Sequence, residues 1–452
     1  MLRSLYVSLI YGVFLFGGLV APFALGLGYV WVDTFTPQKI AYSIINEFPV
    51  SEIMAVAAIG AYLLLDRKRP PAMNIITILV AAMGAWITFT TFMDPVRPVD
   101  AFGKWDWAFK TVVFSGFMPA MFRSRVQIEA FLQIYIFSLA GQFLPFAAKT
   151  ILSGGRYGVN YGLVEGNGGL AEGSRLATVC LLIIPIIIFL MRNTIILPRW
   201  RIVRYGYMGM VVACLAACFG TFERTALVGI VVLAVGFLLR SRHRLIYSGI
   251  CAAGIIFGSS YVLSSGSEWV TRMKTITTYT QDNSAYVRIL VWEWTLDFVK
   301  THPYGGGFNA FLVDEIKLPG THDHPEPVID KGRAFHSIYF EVLGEHGWVG
   351  LGIFLSLFAT SFLTLQSVAT RAKRLVGMEW CYDLARMVQI SLLVPMTCGA
   401  FIGIAFQSEI YYLFALAVML RQQIRVAERL ANAAPKPEFY ERSAEISGAL
   451  VA

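Results

Sequence analysis

The chain has 452 residues, of which 56% are hydrophobic and only 15% are charged. Soluble domains carry roughly 25% charged residues, so this composition excludes an ordinary soluble protein and indicates helices that are solvated by lipid. The formal net charge is +8. The basic residues form short clusters between apolar runs instead of one patch, which argues against nucleic acid as a partner and is typical of a membrane protein.

Apolar runs of about 20 residues, the length that crosses a bilayer, predict an all-α polytopic membrane protein with about twelve transmembrane helices. The first run contains Gly17, Gly18 and Pro22, so it is either one kinked helix or two short pieces. The predicted spans are residues 4–32, 50–66, 72–92, 105–122, 126–147, 176–191, 205–221, 224–239, 245–263, 345–365, 385–404 and 407–421.

The basic clusters predict how these spans are oriented. They occupy residues 67–69, 123–125, 192–204, 240–244, 371–374 and 421–425, and each falls on the same side of the predicted topology. Because basic loops stay in the cytoplasm, both termini are expected there. The opposite side then receives one long polar loop, residues 264–336.

The chain therefore divides into four parts of one integrated membrane domain. These are N-terminal transmembrane helices (1–263), a large periplasmic loop with short helices (264–336), C-terminal transmembrane helices (337–425) and a cytoplasmic tail (426–452). Within the loop, the apolar spacing of residues 284–300 predicts a helix that lies against the membrane surface. The six cysteines fall in or near predicted spans, so we expect core thiols and no disulfide framework.

Three residues are the main candidates for chemistry. Arg288, in the predicted loop helix, is either a salt-bridged arginine at the interface or a planar fork that holds phosphate oxygens. Arg224 follows Glu223 at the outer end of a span, where a basic residue is unexpected, and it is either a local partner of Glu223 or a functional residue. His336 closes the loop, and a histidine there is either a structural residue or a proton acceptor.

Weaker signals accompany them. His322, Asp323 and His324 lack a further ligand at a recognised spacing, so a solvated turn is favoured over a metal site. The glycines of PYGGGF (303–308) lack the lysine and the flanking strand of a nucleotide loop, which favours a tight turn with close backbone packing. Residues 148–175 are rich in Gly, Asn and Tyr, and Asn160 and Tyr161 are candidate carbohydrate contacts or plain loop residues.

Taken in order, the stretches ERTALVG, TYTQDNSAYVRILVW and HSIYFEVLGEHGWVG resemble the O-antigen ligase/polymerase superfamily. The resemblance extends to about residue 365. Within the superfamily, the chain is similar in particular to probable O-glycosylation ligases associated with the exosortase A system. One stretch departs from that branch. An Asp-Asn-Asn-like sequence is expected before the sixth span, whereas this chain has GGLAEGSRLA, with Glu172 and Arg175 as candidate replacements.

The resemblance implies a GT-C-like glycosyltransferase in the bacterial inner membrane, with an active site that faces the periplasm. Such an enzyme moves a glycan from a polyprenyl-diphosphate donor to a lipid, saccharide or protein acceptor, without a metal or cofactor and with inversion. Arg224, Arg288 and His336 match the residues essential in the family. Glu223, Tyr339, Tyr161, Asn160 and Arg175 are further candidate substrate contacts.

Two alternatives remain open. A polymerase of the same superfamily would use a second lipid-linked repeat unit as its acceptor. A transporter of lipid or sugar would also suit about twelve spans, although no internal repeat is visible and the outer loop is unusually long. For a glycosyltransferase, we expect Arg224, Arg288 and His336 to lie within about 15 Å of one another, the scale of a ligand pocket.

Overall fold

The computed structural model describes residues 2–40, 48–66, 73–93, 99–153, 170–240, 283–318 and 328–433, with a few isolated positions between them. Over these ranges the chain is an all-α polytopic membrane protein, as predicted. Seven of the described helices are long and apolar enough to cross a membrane, and two shorter apolar helices accompany them. Most of the predicted span 245–263 and the tail beyond residue 433 lie outside the described residues.

The described helices are α1 (Leu2–Val20), α2 (Phe23–Phe35), α3 (Pro37–Ile40), α4 (Val50–Leu64), α5 (Ile75–Met93), α6 (Ala101–Met121), α7 (Arg125–Ser153), α8 (Gly173–Asn193), α9 (Arg201–Gly220), α10 (Arg224–Arg240), α11 (Asn283–Thr301), α12 (Ile338–Ala372), α13 (Glu379–Cys398) and α14 (Ser408–Ala433). The first predicted span is two helices. Pro22 stands at the N-cap of α2, where its missing backbone N–H costs no hydrogen bond.

The core lies around α8. Nearly every side chain of α8 is buried, and the helix packs against α9, α10 and α13. Beside it, α14 packs against α6, α12 and α13. By contrast, α1 leaves apolar side chains such as Phe16 and Val20 exposed, as expected of a helix that faces lipid. The five described cysteines are buried thiols in these helices.

The basic clusters meet at one end of the bundle, which we call the basic face. Arg123, between α6 and α7, pairs with Asp66 at 2.9 Å beyond the end of α4, and its carbonyl accepts a 2.6 Å bond from Gln423 of α14. Arg125 donates to the carbonyl of Asn193 at the end of α8. The helix ends that carry four of the predicted clusters therefore lie together at one end of the bundle, as a common side requires.

The outer loop contains a helix, as predicted, and a β-hairpin, which was not predicted. Helix α11 begins and ends within one residue of the predicted 284–300. Instead of lying alone on the membrane surface, it packs against α12 and β1, through an apolar cluster that includes Val291, Ile316 and Phe335. The hairpin joins β1 (Glu315–Leu318) to β2 (Val328–Lys331) in antiparallel register. The loop therefore combines the expected helix with a hairpin that no signal in the sequence predicted.

Helix α12 also differs from its prediction of 345–365. It begins at Ile338, ends at Ala372 and is interrupted at Gly347, which has φ 64° and ψ −166°. Only glycine adopts this conformation without strain. The interruption gives α12 a short first segment, which belongs to the loop, and a long second segment, which belongs to the membrane bundle.

Candidate active site

The interruption in α12 is where the outer loop docks onto the bundle. A broken helix leaves carbonyl groups without their usual partners, and here other donors replace them. Gly306 and Gly307 donate backbone N–H groups to the carbonyls of Gly344 and Glu345, each at 2.9 Å. Trp86 donates its indole N–H to the carbonyl of His346 at 2.8 Å. The glycines of PYGGGF therefore form a turn with close backbone packing, as the sequence favoured.

A cleft of about 340 Å³ opens at the end of the bundle opposite the basic face, and we call this the cleft end. Its walls come from the starts of α6, α8 and α12, from the loop, and from residues 402–407 before α14. Its lining includes the polar side chains of Lys104, Glu172, Arg175, Asn309, His336, Glu341 and Gln407. Charges of both signs and an imidazole therefore face one space at the predicted outer side.

Lys104 forms ion pairs that connect the structural elements around this cleft. Its ammonium group lies 2.8 Å from Glu341 and 2.7 Å from Glu345, two carboxylates one turn apart on the first segment of α12. Glu341 also accepts a 2.9 Å bond from the backbone N–H of Ala405, and Glu345 accepts one from Asn309. One cation therefore joins α6, α12, the loop and the segment before α14.

His336 lies at the rim of the cleft in a left-handed conformation, with φ 47°. A non-glycine residue in this region is uncommon and often marks a functional position. The preceding carbonyl, of Phe335, accepts a 2.9 Å bond from the indole of Trp292, which fixes the approach of the chain. Because of partial burial, and then of the charges of Arg288 and Arg333, the pKa of His336 is lowered, while Glu341 opposes the shift. The lowered pKa favours the neutral form of the imidazole.

Arg288 lies near this histidine on α11. It is one turn before Trp292, the residue that bonds to Phe335, and its charge acts on His336. Its Nε is buried and has no hydrogen-bond partner among the residues that the structure describes. A buried guanidinium N–H that remains available is suited to an anionic ligand. The structure therefore brings two of the three main candidates together.

Arg224 begins α10 at the same end of the bundle. The side chain of its neighbour Glu223 accepts a 3.1 Å bond from the hydroxyl of Ser174, at the start of α8. Glu172 caps α8 by accepting the backbone N–H groups of Ser174 and Arg175, and its pKa is raised, first by burial. Arg224 thus neighbours the wall of the cleft formed by α8, although the lining residues do not include it.

Arg175 lines the cleft from α8. Its guanidinium bonds to the side chain of Gln407 and lies 3.4 Å from Glu409. These contacts connect α8 with the start of α14. Arg175 is therefore both a wall of the cleft and a link between two core helices.

The other predicted contacts have different placements. The hydroxyl of Tyr339 donates to the carbonyl of Met396, which holds α12 against α13, and Tyr339 is not in the cleft lining. Asn160 and Tyr161, and the cluster 322–324, lie outside the described residues. Over the described ranges, no group of three His, Cys, Asp or Glu side chains is placed to hold a metal ion.

Several functional neighbours were missed by sequence reasoning, namely Lys104, Glu341, Glu345 and His346. The ring of His346 is buried between Phe308 and Phe406, and its Nδ1 lies 2.7 Å from the hydroxyl of Thr90. The sequence did contain one signal for this cluster, the pair of carboxylates at positions 341 and 345. Ionisable groups four residues apart share one helix face, and in an apolar run they need a partner.

Two parts of the chain match known protein families, and both parts contribute residues to the cleft. Residues 2–195 match a family of unknown function, DUF5935. Residues 209–355 match the O-Antigen ligase family. The second match supports the O-antigen ligase superfamily and a ligase- or polymerase-like glycosyltransferase. No curated protein matches the chain.

The O-antigen ligase match contains Arg224, Arg288 and His336, and it contains the whole first segment of α12. Lys104 and Arg175 come from the other matched region. The cleft is therefore built jointly by both regions. The superfamily implies lipid-linked saccharides as substrates, and several apolar helices agree with a multi-pass membrane protein. The exosortase-associated branch remains a prediction.

Proposed function

We propose that this protein transfers a glycan from a polyprenyl-diphosphate carrier to an acceptor on the periplasmic side of the bacterial inner membrane. The observation that carries this proposal is the cleft opposite the basic face. His336 lies at its rim, Arg288 is close enough to lower the pKa of His336, and both belong to the region matched by the O-Antigen ligase family. The prenyl chain of the donor would remain in lipid while its sugar enters the cleft.

The residues can divide the reaction between them. The neutral imidazole of His336 takes the proton of the acceptor hydroxyl, whose oxygen attacks the anomeric carbon. The bond from that carbon to the carrier's phosphate oxygen breaks, and its electron pair leaves with the diphosphate. We assign neutralisation of the developing charge to Arg288 and Arg224. A single displacement of this kind inverts the anomeric configuration, and no metal takes part in it.

The charge of Arg288 also connects donor binding to base strength. In the free protein this charge helps to lower the pKa of His336. A bound diphosphate would neutralise Arg288, so the pKa of His336 would rise and the imidazole would become a better base. Proton removal would then be favoured only when the donor is in place, which disfavours activation of an acceptor in its absence.

Candidate contacts with the rest of the substrate are Glu223, Arg175, Asn160 and Tyr161. The hydroxyl of Tyr339 can donate to substrate only if its bond to Met396 breaks. The acceptor distinguishes a ligase from a polymerase. Loss of a ladder of lengthening glycans on deletion of the gene indicates a polymerase, and loss of one final glycoconjugate indicates a ligase. A transporter would leave the lipid-linked glycan unconverted by the purified protein.

The test uses purified full-length protein, a lipid-linked oligosaccharide and an acceptor extract, with the transferred glycan as the readout. Arg288→Ala should lower the rate at least about 100-fold, the loss typical for removal of a group that stabilises transition-state charge. Arg224→Ala and His336→Ala should also lose transfer while expression and membrane insertion remain normal.

Lys300→Ala is the matched control, since Lys300 lies on the same helix as Arg288, 73% of its side chain is exposed, and it pairs with Asp297. This variant should transfer glycan at the wild-type rate. Full activity of Arg288→Ala or Arg224→Ala, in protein that is normally inserted, would refute the assignment of the diphosphate to these arginines.

A further inference from the structure

Two arginines at the basic face share the same pair of acceptors. Arg240 is the last residue of α10, and Arg386 lies on α13. The Nη1 atom of each donates to the side-chain oxygen of Gln366 at 2.8 Å and to that of Gln389 at 3.0 Å. The two cationic groups therefore face each other across two amide oxygens, separated by no more than two hydrogen-bond lengths.

The surrounding side chains hold both guanidinium groups in place. Gln389 is fully buried, and its amide nitrogen donates to the carbonyl of Phe362 at 3.0 Å, so its oxygen is directed at the arginines. Arg240 lies over the ring of Phe362, 4.6 Å from its centre, and Arg386 lies over Tyr382 at 5.6 Å. The pair is thus a fixed arrangement and not two mobile surface chains.

Neighbouring arginines on the same face are neutralised differently. Arg123 pairs with Asp66, and Arg371 pairs with Glu428. No carboxylate of the described ranges lies within ion-pair distance of Arg240 or Arg386. Like charges held this close repel each other, and neutral amide oxygens offset only part of that repulsion. An anion placed against both guanidinium groups would remove it.

A narrow pocket between α8, α10 and α13 connects the pair to the surface. Its lining contains three guanidinium groups and one carboxylate, those of Arg192, Arg240, Arg386 and Asp383. Arg192 is exposed, so the pocket can be reached from outside the bundle. Lys373 adds another cation beside the ring of Tyr382. The pocket therefore has a net positive charge. Its volume of about 10 Å³ holds no more than one water molecule, so a larger anion would rest at its mouth.

We propose that the mouth of this pocket binds a phosphate group, with Arg240 and Arg386 as its two principal donors. Guanidinium groups present planar N–H forks that match phosphate oxygens. Basic pockets between helix ends at a membrane face commonly hold anionic headgroups. The phosphate belongs either to an anionic lipid at the rim of the bundle or to a soluble phosphate. Because the pocket lies opposite the cleft, this site is distinct from the proposed glycan transfer.

The test uses purified full-length protein in a neutral detergent. Native mass spectrometry measures retention of phosphatidylglycerol against phosphatidylcholine, and thermal unfolding measures stabilisation by inorganic phosphate. In the double variant Arg240→Gln/Arg386→Gln, binding should weaken at least about ten-fold, since each lost charged hydrogen bond is worth about 1.5–3 kcal/mol and 1.4 kcal/mol is ten-fold. The control Arg374→Gln/Arg429→Gln removes the same charge from exposed positions of this face and should bind normally.

Single variants separate binding from folding. In Arg240→Gln or Arg386→Gln, the remaining arginine still satisfies both glutamine oxygens and the repulsion is gone. Each should be at least as stable as the wild type without ligand, yet bind the probe more weakly. A purely structural pair predicts the reverse, a loss of stability with no change in binding.

The outcomes also identify the source of the phosphate. A preference for phosphatidylglycerol that the double variant loses assigns the site to a lipid headgroup. Stabilisation by inorganic phosphate alone, lost in the same variant, assigns it to a soluble phosphate. Equal binding by the wild type and the double variant, or no binding of either probe, overturns the proposal.

Discussion

At the cleft end, Lys104 lies between Glu341 and Glu345, with side-chain exposures of 16%, 9% and 0%. At the basic face, Arg371 pairs with Glu428 at exposures of 40% and 28%. Both are ion pairs between distant helices, but water can replace only the second. Charge at the cleft end is therefore part of the packing, while the pair at the basic face is open to water, which agrees with the orientation predicted from the basic clusters.

This difference explains why the candidate chemistry is found at one end only. Buried and mutually bonded groups keep their positions, which catalysis requires. The loop also helps to hold these groups in position, since its glycine turn replaces the hydrogen bonds that are lost at the break in α12. At the basic face, the pair Arg240 and Arg386 is the exception, because it is held in place without a carboxylate.

The largest expected effect comes from removing the buried cation. Lys104→Met leaves two adjacent carboxylates without their partner, and breaking a buried ion pair from one side typically costs about 3–5 kcal/mol. Arg371→Met at the basic face should cost about 0–1 kcal/mol, since exposed pairs contribute little. Denaturant unfolding of the purified protein measures both. Adding Glu345→Gln to Lys104→Met should recover part of the loss, and similar losses in the two single variants would contradict the comparison.

A smaller effect is expected from the break in α12. Gly347→Ala introduces a Cβ that would lie 2.1 Å from the carbonyl oxygen of Pro303, in a backbone conformation that costs other residues about 1–3 kcal/mol. The glycine turn should then detach from α12, and glycan transfer should fall because the loop positions His336. Transfer assays and proteolysis of the loop report the two consequences.

Gly352→Ala is the matched control. Gly352 lies on the same helix, and a Cβ there meets no atom within 4 Å. This variant should be unchanged or more stable by about 0.5–1 kcal/mol, because alanine favours a helix more than glycine does. A loop that stays protected from protease in Gly347→Ala would indicate that the turn docks by other contacts.

The sequence was informative wherever the signal is local. Apolar length predicted the helices, and the spacing of residues 284–300 predicted α11. Arg288 and His336 were candidates from motifs, and the structure places them near each other. The Lys104 cluster was not, because Lys104 and Glu341 are 237 positions apart and become partners only when α6 packs beside α12. The break at Gly347 escaped notice for a similar reason, since its replacement donors come from residues 303–307 and from Trp86.

The smallest expected effect concerns the pH dependence of transfer. As the base, His336 must be neutral, so the rate should fall as the pH falls through its lowered pKa. Arg333 is one of the cations that lower this pKa. Arg333→Gln should therefore raise the pKa of His336 and move the acid limb of the pH–rate profile to higher pH, with no change at neutral pH. The shift should be small and should shrink with added salt, because Arg333 is exposed.

Two controls make this measurement specific to His336. Lys331→Gln removes an exposed cation that pairs with Glu315 and lies two residues before Arg333, and it should leave the acid limb in place. Asp314 accepts the backbone N–H of Arg333, and burial raises its pKa to about 6, so it titrates in a similar range. Asp314→Asn removes that titration, and the limb of His336 should persist. Two outcomes would remove His336 from the role of base: an acid limb that disappears in Asp314→Asn, or one that moves to lower pH in Arg333→Gln. The arginines of the cleft end would then be the only candidates for the chemistry.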